Sequence, residues 1–242
     1  MKRVALEPAY VLHRRSYRET SFLIEIFTKQ YGRISLVARG ARKARSALQG
    51  ILQPFIPILI SWAGNGELMT MTHAEPYGEV KQLQKECLYA GFYLNELLLG
   101  LLHKWDAYPH LYQIYAQTIA VLQNNQLEEK TLRLFEKNLL EELGYALLPK
   151  SSDLKNEFLP DAYYRFVPEQ GFVLSPASHS DPAQSRVFSG KNLIAIAEEN
   201  WHTESLQDAK RLIRFVLTPL LGARQIHSRK LFMQSTERQE EK

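Results

Sequence analysis

The residues with the clearest chemical purpose in this sequence are cations, and they crowd its beginning. Between Met1 and Gly50 stand Lys2, Arg3, Arg14, Arg15, Arg18, Lys29, Arg33, Arg39, Arg42, Lys43 and Arg45. Only Glu7, Glu19 and Glu25 oppose them, so this fifth of the chain carries +8 while all 242 residues together carry +4. Self-repulsion makes such crowding costly for a folded domain, and a polyanionic partner accounts for it best. The densest stretch is Arg33-Ile34-Ser35-Leu36-Val37-Ala38-Arg39-Gly40-Ala41-Arg42-Lys43-Ala44-Arg45-Ser46. Period-two alternation turns Ile34, Leu36 and Ala38 to one face and sends Arg33 and Arg39 outward together. Beyond the strand, Gly40 and small alanines space Arg42, Lys43 and Arg45, as suits a loop lying close to a phosphate backbone while long cationic side chains reach its oxygens. Contacts of that kind are salt-sensitive and independent of base sequence. Tyr31, at the preceding turn, reads as a turn residue or a stacking platform for a base, and Tyr17 is a second candidate platform.

A second basic set, Lys210, Arg211 and Arg214, falls at i, i+1 and i+4 on a late helix, with Arg224, Arg229 and Lys230 after it. It reads equally as cations complementing a helix C-terminus and pairing with Asp208, or as an extension of the polyanion surface.

Covalent chemistry has no comparable signal. The chain lacks a Gly-x-Gly-x-x-Gly turn, a Walker A sequence and a Gly-x-Ser-x-Gly nucleophile turn. No two of the seven histidines stand three or four apart, so no helical pair grips zinc. The acidic pairs Glu128/Glu129, Glu141/Glu142 and Glu198/Glu199 are sequence neighbours that point apart on a helix, and they read as solvated faces. Cys87, the single cysteine, reads as a small core residue and allows no intramolecular disulfide. A binding protein without catalytic residues, cofactor or metal is therefore expected. The longest apolar stretches, such as Leu97–Leu102, fall far short of the ~20 residues of a membrane span. The start lacks the apolar core of a signal peptide, so a cytoplasmic, nucleoid-associated protein is expected.

These cations need a frame. Five short strands are expected before Glu79: around Tyr10–Leu12, Phe22–Phe27, Ile34–Ala38, Ile56–Trp62 and Leu68–Thr72, with a hairpin at Gly64-Asn65-Gly66. That number, in about 80 residues, fits a small OB-fold barrel. From Gln82 the period becomes helical: Leu83 to Trp105, Leu111 to Leu122, and Glu128 to Leu143 ending at Gly144. A last helix is expected from a capping box at Ser205-Leu206-Gln207-Asp208 to Gly222, with Pro219 in its final turn. Five prolines mark an irregular insertion over about 146–190, whose ordered piece is a hairpin of Tyr163–Val167 and Gly171–Leu174. The expected class is α+β and multidomain: an OB-fold DNA-binding domain over 1–80, a mainly helical domain over 81–232, and a disordered tail over 233–242.

Several motifs, in order and spacing, resemble the RecO family of recombination mediators. They are Tyr10-Val11-Leu12, Glu19-Thr20-Ser21, Tyr31-Gly32-Arg33 through Ala38-Arg39-Gly40-Ala41-Arg42, Leu52-Gln53-Pro54-Phe55 and Tyr93-Leu94-Asn95-Glu96-Leu97-Leu98. Arg133-Leu134-Phe135-Glu136, Leu143-Gly144-Tyr145, Lys210-Arg211 to Leu221-Gly222 and Ser228-Arg229-Lys230-Leu231-Phe232 continue the series. The resemblance implies an N-terminal OB-fold, a helical C-terminal domain, and binding of single- and double-stranded DNA. It also implies annealing of complementary strands and help in loading RecA onto strands coated by single-stranded-DNA-binding protein (SSB). Implied partners are RecR and the acidic C-terminal tail of SSB. For that tail, Arg133 matches the position expected to meet the terminal carboxylate, with Leu97, Leu101 and Phe135 as groove candidates. Where many relatives carry a four-cysteine zinc ribbon, this chain has Ser151-Ser152-Asp153, which implies a zinc-free branch. The competing classes are an RNA-binding or ribosome-associated OB protein and a nuclease with dispersed carboxylates.

Overall fold

The computed structural model describes residues 2–79, 81–148, 158–176, 186–228 and 231. The chain forms two compact units, Met1–Leu127 with Arg224–Lys242, and Glu128–Ala223.

In the first unit, β1 (Lys2–Tyr17), β2 (Ser21–Thr28), β3 (Gly32–Ala38), β4 (Pro57–Gly64) and β5 (Leu68–Pro76) close a barrel in the order β1-β2-β3-β5-β4. The sixteen-residue β1 makes closure possible. Its second half pairs with β2, its first half with β4, and register shifts near Val11/His13 and Val4/Glu7 let it bend. β3 and β5 meet in parallel through Ser35–Val37 and Leu68–Thr70, the remaining seam. Alternation fills the interior as the sequence implies: Ile24, Ile26, Ile34, Leu36 and Ala38 are fully buried, joined by Ile58, Ile60 and Trp62. A four-residue helix, α1 (Leu48–Ile51), follows β3 and packs Leu48 and Ile51 onto the same core. A closed five-stranded barrel with this helix after its third strand is the expected OB-fold.

The outer side of β1 and β2 is apolar too. Tyr10 and Phe27 are buried there against α2 (Lys85–Leu101) and α3 (Pro109–Gln123). Tyr10 meets Tyr115 edge-on at 5.1 Å, and Phe27 lies 5.6 Å from Tyr112. A buried relay fixes the register: Tyr115 Oη donates to Asn95 Oδ1 (2.6 Å), and Asn95 Nδ2 donates to the Leu12 carbonyl (2.8 Å). α2 and α3 thus lie in the same compact unit as the barrel. The alternation pattern did not show this because it assigns the second face of a strand to solvent. The returning C-terminal segment joins them, with Glu96 accepting from the amides of His227 (3.1 Å) and Ser228 (3.0 Å).

The connection between α2 and α3 is tied to the β2–β3 turn. The Trp105 amide donates to the Arg33 carbonyl (3.0 Å), and Gly32, at φ +65°, lies so close to the Asp106 carbonyl that a Cβ would overlap it.

The second unit holds α4 (Glu129–Glu142), a sheet of β6 (Tyr163–Val167), β7 (Gly171–Ser175) and β8 (Val187–Ser189) in the order β7-β6-β8, then α5 (Gly190–Ala197) and α6 (Thr203–Leu221). Phe158, Tyr164, Phe188, Leu193 and Leu212 form its core. β6 and β7 are the expected hairpin. β8 and α5 are additions, too short for their periodicity to stand out from a proline-rich surrounding. The last helix begins earlier than expected: His202, not Ser205, is its N-cap. Ser205 sits at the third helical position, its Oγ accepting from the His202 amide (2.9 Å).

Two measurements check these contacts. Gly32→Ala is expected to destabilise the fold by about 2–4 kcal/mol through backbone overlap and a left-handed φ, read by denaturant unfolding. Glu7 is buried in β1, with Oε1 accepting from the Gln30 amide (2.7 Å), and burial raises its pKa. A raised carboxyl pKa means that folding binds a proton, so its contribution declines as pH rises from the ordinary glutamate value through the raised one. Glu7→Gln is therefore expected to melt above the parent at pH 7, with the gap closing as pH falls through the raised value and gone below about 4.3, read by melting temperature over a pH series.

Candidate nucleic-acid interface

The loop after β3 is built from alternating anchors and cations. Arg39 is exposed, Gly40 turns the chain at φ +69°, and Ala41 is fully buried in the barrel core. Lys43 N donates to Gly40 O (3.2 Å) and Ser46 N to Lys43 O (2.9 Å), so the loop is a series of turns. Arg42 ties it to the neighbouring β1–β2 turn. Its amide donates to the Thr20 carbonyl (2.9 Å) and its Nη1 to the Arg18 carbonyl (2.9 Å). Lys43, Ala44 and Arg45 are left exposed.

That tie brings in two cations which sequence reasoning counted but did not assign. Arg18 is exposed in the turn, with its guanidinium 5.3 Å from the Tyr17 ring centre. Arg15, also exposed, pairs with Leu23, which pairs with Val37, so all three share a face. Arg39 lies two residues beyond Val37. Arg15, Arg18, Arg39, Lys43 and Arg45 therefore gather at one end of the barrel, with Glu19 the carboxylate in the same turn. The charge count held the signal; only strand pairing shows which cations are neighbours.

Other cations serve the frame. Arg14, expected only as part of the charge excess, donates from Nη1 to the carbonyls of Gln49 (2.9 Å) and Leu52 (3.2 Å) and covers the Phe22 ring. Arg33 does not project beside Arg39, contrary to expectation. Its Nη1 donates to the Leu99 carbonyl in the last turn of α2 (2.7 Å), and burial lowers its pKa, opposed by Glu25. The unpaired carbonyls of a helix end are a stronger attraction for a guanidinium than open solvent. Tyr31 is half-buried, edge-on to Trp62 at 5.4 Å, with Lys2 Nζ 5.0 Å from its ring centre. Its ring thus packs on the barrel. Among the described residues, none of the eleven early cations forms an ion pair with a carboxylate.

In the second unit the late cations separate. Arg211 is tied to Asp208 Oδ1 (2.8 Å) and the Val187 carbonyl (3.0 Å) over the Phe188 ring. Lys210 lies 3.6 Å from Glu129, and Arg214 is exposed. Arg229 and Lys230 lie outside the described residues, as do Ser151–Asp153 and the tail from 233. Of the acidic pairs, Glu128, Glu129, Glu141, Glu198 and Glu199 are exposed and Glu142 is half-buried, with Glu128 beside Lys130 (2.7 Å) and Glu199 beside Lys137 (2.7 Å). The candidates for an SSB-type tail are divided between the two units. Leu97 and Phe135 are fully buried, each in its own unit, and Leu101 is half-buried. Arg133, 8% exposed, is paired at 2.6 Å with the buried Glu136. An arginine matched by sequence position is here consumed by a carboxylate three residues on.

Residues 1–79 match the model of the recombination protein O N-terminal domain, and residues 85–230 that of its C-terminal domain. The chain belongs to the RecO family. Among its relatives are the DNA repair protein RecO of Coxiella burnetii strain RSA 331, 46% identical over 95% of this chain and 98% of that protein, and that of Dechloromonas aromatica, 40% identical over 97% and 98%. The Pasteurella multocida protein of the same name is 42% identical over 93% of each chain. A DNA repair role follows from RecO membership. The two RecO domain models meet between residues 79 and 85, whereas the compact units divide at 127, because α2 and α3 pack on the barrel. No helix among the described residues is long and apolar enough to cross a membrane.

The division of labour among cations is directly measurable. Arg33→Ala is expected to cost about 1–3 kcal/mol of stability by stranding a helix-end carbonyl, whereas Arg39→Ala stays within about 0.5 kcal/mol of the parent.

Proposed function

We propose that this RecO-family chain binds single- and double-stranded DNA through Arg15, Arg18, Arg39, Lys43 and Arg45, anneals complementary strands, and helps load RecA onto SSB-coated DNA. It acts by binding, without covalent chemistry or a cofactor. The observation that carries this reading is the group of exposed cations, unpaired with carboxylates, held by anchored backbone at one end of an OB-fold.

Phosphates of two strands repel one another before their bases can pair. A surface that neutralises both lowers that barrier and releases counterions, so affinity falls as salt rises. Contacts from such a loop to phosphate oxygens carry no sequence information, which suits a mediator that acts on any sequence. RecR and the SSB tail enter as partners through family resemblance.

Replacing Arg39, Lys43 and Arg45 together with Glu tests the reading and leaves Arg42 to hold the loop. The expected result is loss of annealing with an unchanged melting temperature. The slope of log affinity against log salt on single strands should flatten by about 0.7 per phosphate contact removed. Annealing at the parental rate would overturn the assignment.

A further inference from the structure

Gln49, the second residue of α1, connects the basic loop to the barrel in a way that charge alone does not require. Its Nε2 donates to the carbonyls of both Arg42 (3.2 Å) and Lys43 (3.0 Å). Its own carbonyl accepts from Arg14 Nη1 (2.9 Å) and from Gln53 Nε2 (2.8 Å), and its amide donates to the Ser46 carbonyl (3.2 Å). One neutral side chain thus clasps two consecutive carbonyls of the loop, while its backbone is fastened from behind by an arginine stacked on Phe22.

The electrostatic consequence is specific. A carbonyl oxygen carries partial negative charge and repels a phosphate. With the Arg42 and Lys43 carbonyls engaged by Gln49, two sources of that repulsion are held away from a phosphate that approaches Lys43 Nζ and the Arg45 guanidinium. The amides of Ala44 and Arg45 have no acceptor among the described residues and are open to one from outside. Successive amides of this kind favour an anion. Fixing the loop beforehand also spares the ordering cost that a mobile basic segment meets on binding.

We infer that Gln49 is a positioning residue for the DNA backbone: it pre-forms the Arg42–Arg45 loop as a phosphate-binding surface without itself touching DNA. This inference rests on the DNA-binding reading above. Because the ordering cost is independent of counterion release, losing the clasp lowers affinity at every salt concentration but leaves the salt slope unchanged. Losing a cation does the opposite to the slope.

The test is fluorescence anisotropy of labelled single-stranded DNA over a salt series with the full chain, its Gln49→Met variant and the Arg39/Lys43/Arg45→Glu variant. Methionine keeps the size of the side chain and removes the donor. Gln53→Met, which removes a bond to Gln49 but none to the loop, is the control and should bind as the parent does. For Gln49→Met, a fall of about three- to tenfold in affinity with a parallel salt slope is expected. Amide exchange in residues 42–46 of the free protein should be faster as well. Parental affinity, or a slope flattened as by charge reversal, overturns the inference. Should Gln49→Met fail to fold, Gln49→Asn shortens the same amide by one carbon and is judged by the same criteria. If the parent itself binds without salt dependence, the DNA-binding reading fails. If charge reversal flattens the slope while Gln49→Met behaves as the parent, only the clasp fails.

Discussion

Helix ends and turns leave main-chain carbonyls without amide partners, and an unpaired carbonyl away from water is costly. In this chain arginine side chains meet that need repeatedly. Arg14 takes the carbonyls of Gln49 and Leu52 at the end of α1. Arg33 takes Leu99, and Arg224 takes Gly100, in the last turn of α2. Arg42 takes Arg18 in the β1–β2 turn, and Arg211 takes Val187 at the start of β8. The bonds at the ends of α1 and α2 also place cations where a helix dipole favours them. The barrel, its plugging helix and the packing of α2 are thereby stitched together by the same residue type that is available for phosphate.

This dual use explains how so basic a segment folds. Eleven cations in fifty residues would repel one another strongly if all were left in solvent, yet among the described residues none forms an ion pair with a carboxylate. Directing Arg14, Arg33 and Arg42 onto carbonyls, and holding Lys2 between Tyr31 and Trp105, gives several of them compensating contacts. Of the exposed cations, Arg15, Arg18, Arg39, Lys43 and Arg45 are grouped on backbone that is itself hydrogen-bonded, while Arg3 stands apart at the start of β1. In the proposed role such a surface would hold phosphates at set positions, where an unstructured basic tail would merely attract them.

The aromatic seam is the second consequence of a strand with two buried faces. Tyr10 and Phe27 lie outside the barrel interior, yet both are buried, because Tyr112 and Tyr115 of α3 pack on them. Burial of the Tyr115 hydroxyl is compensated by Asn95, which is itself satisfied by the Leu12 carbonyl. The N-terminal body is therefore a barrel with two helices and a returning C-terminal segment, larger than the strands alone.

Much of this was legible in the chain as written. The period-two rows Ile24/Ile26 and Ile34/Leu36/Ala38, the five strands, the four long helices and the crowding of early charge are local properties. Alternation, propensity and composition act over a few residues. The fate of each cation is not local. Arg33 and Arg39 look alike in sequence, and only the arrival of Leu99, 66 positions away, buries one and leaves the other free. Arg133 looks like an available cation until the helix brings it against Glu136. Arg15 and Arg18 join the interface through β1–β2–β3 pairing, and Gln49 enters it through hydrogen bonds that no composition reveals. Charge is carried by the residue, but whether that charge meets solvent, a carbonyl or a carboxylate is decided by distant segments, and these become neighbours only when the chain has folded.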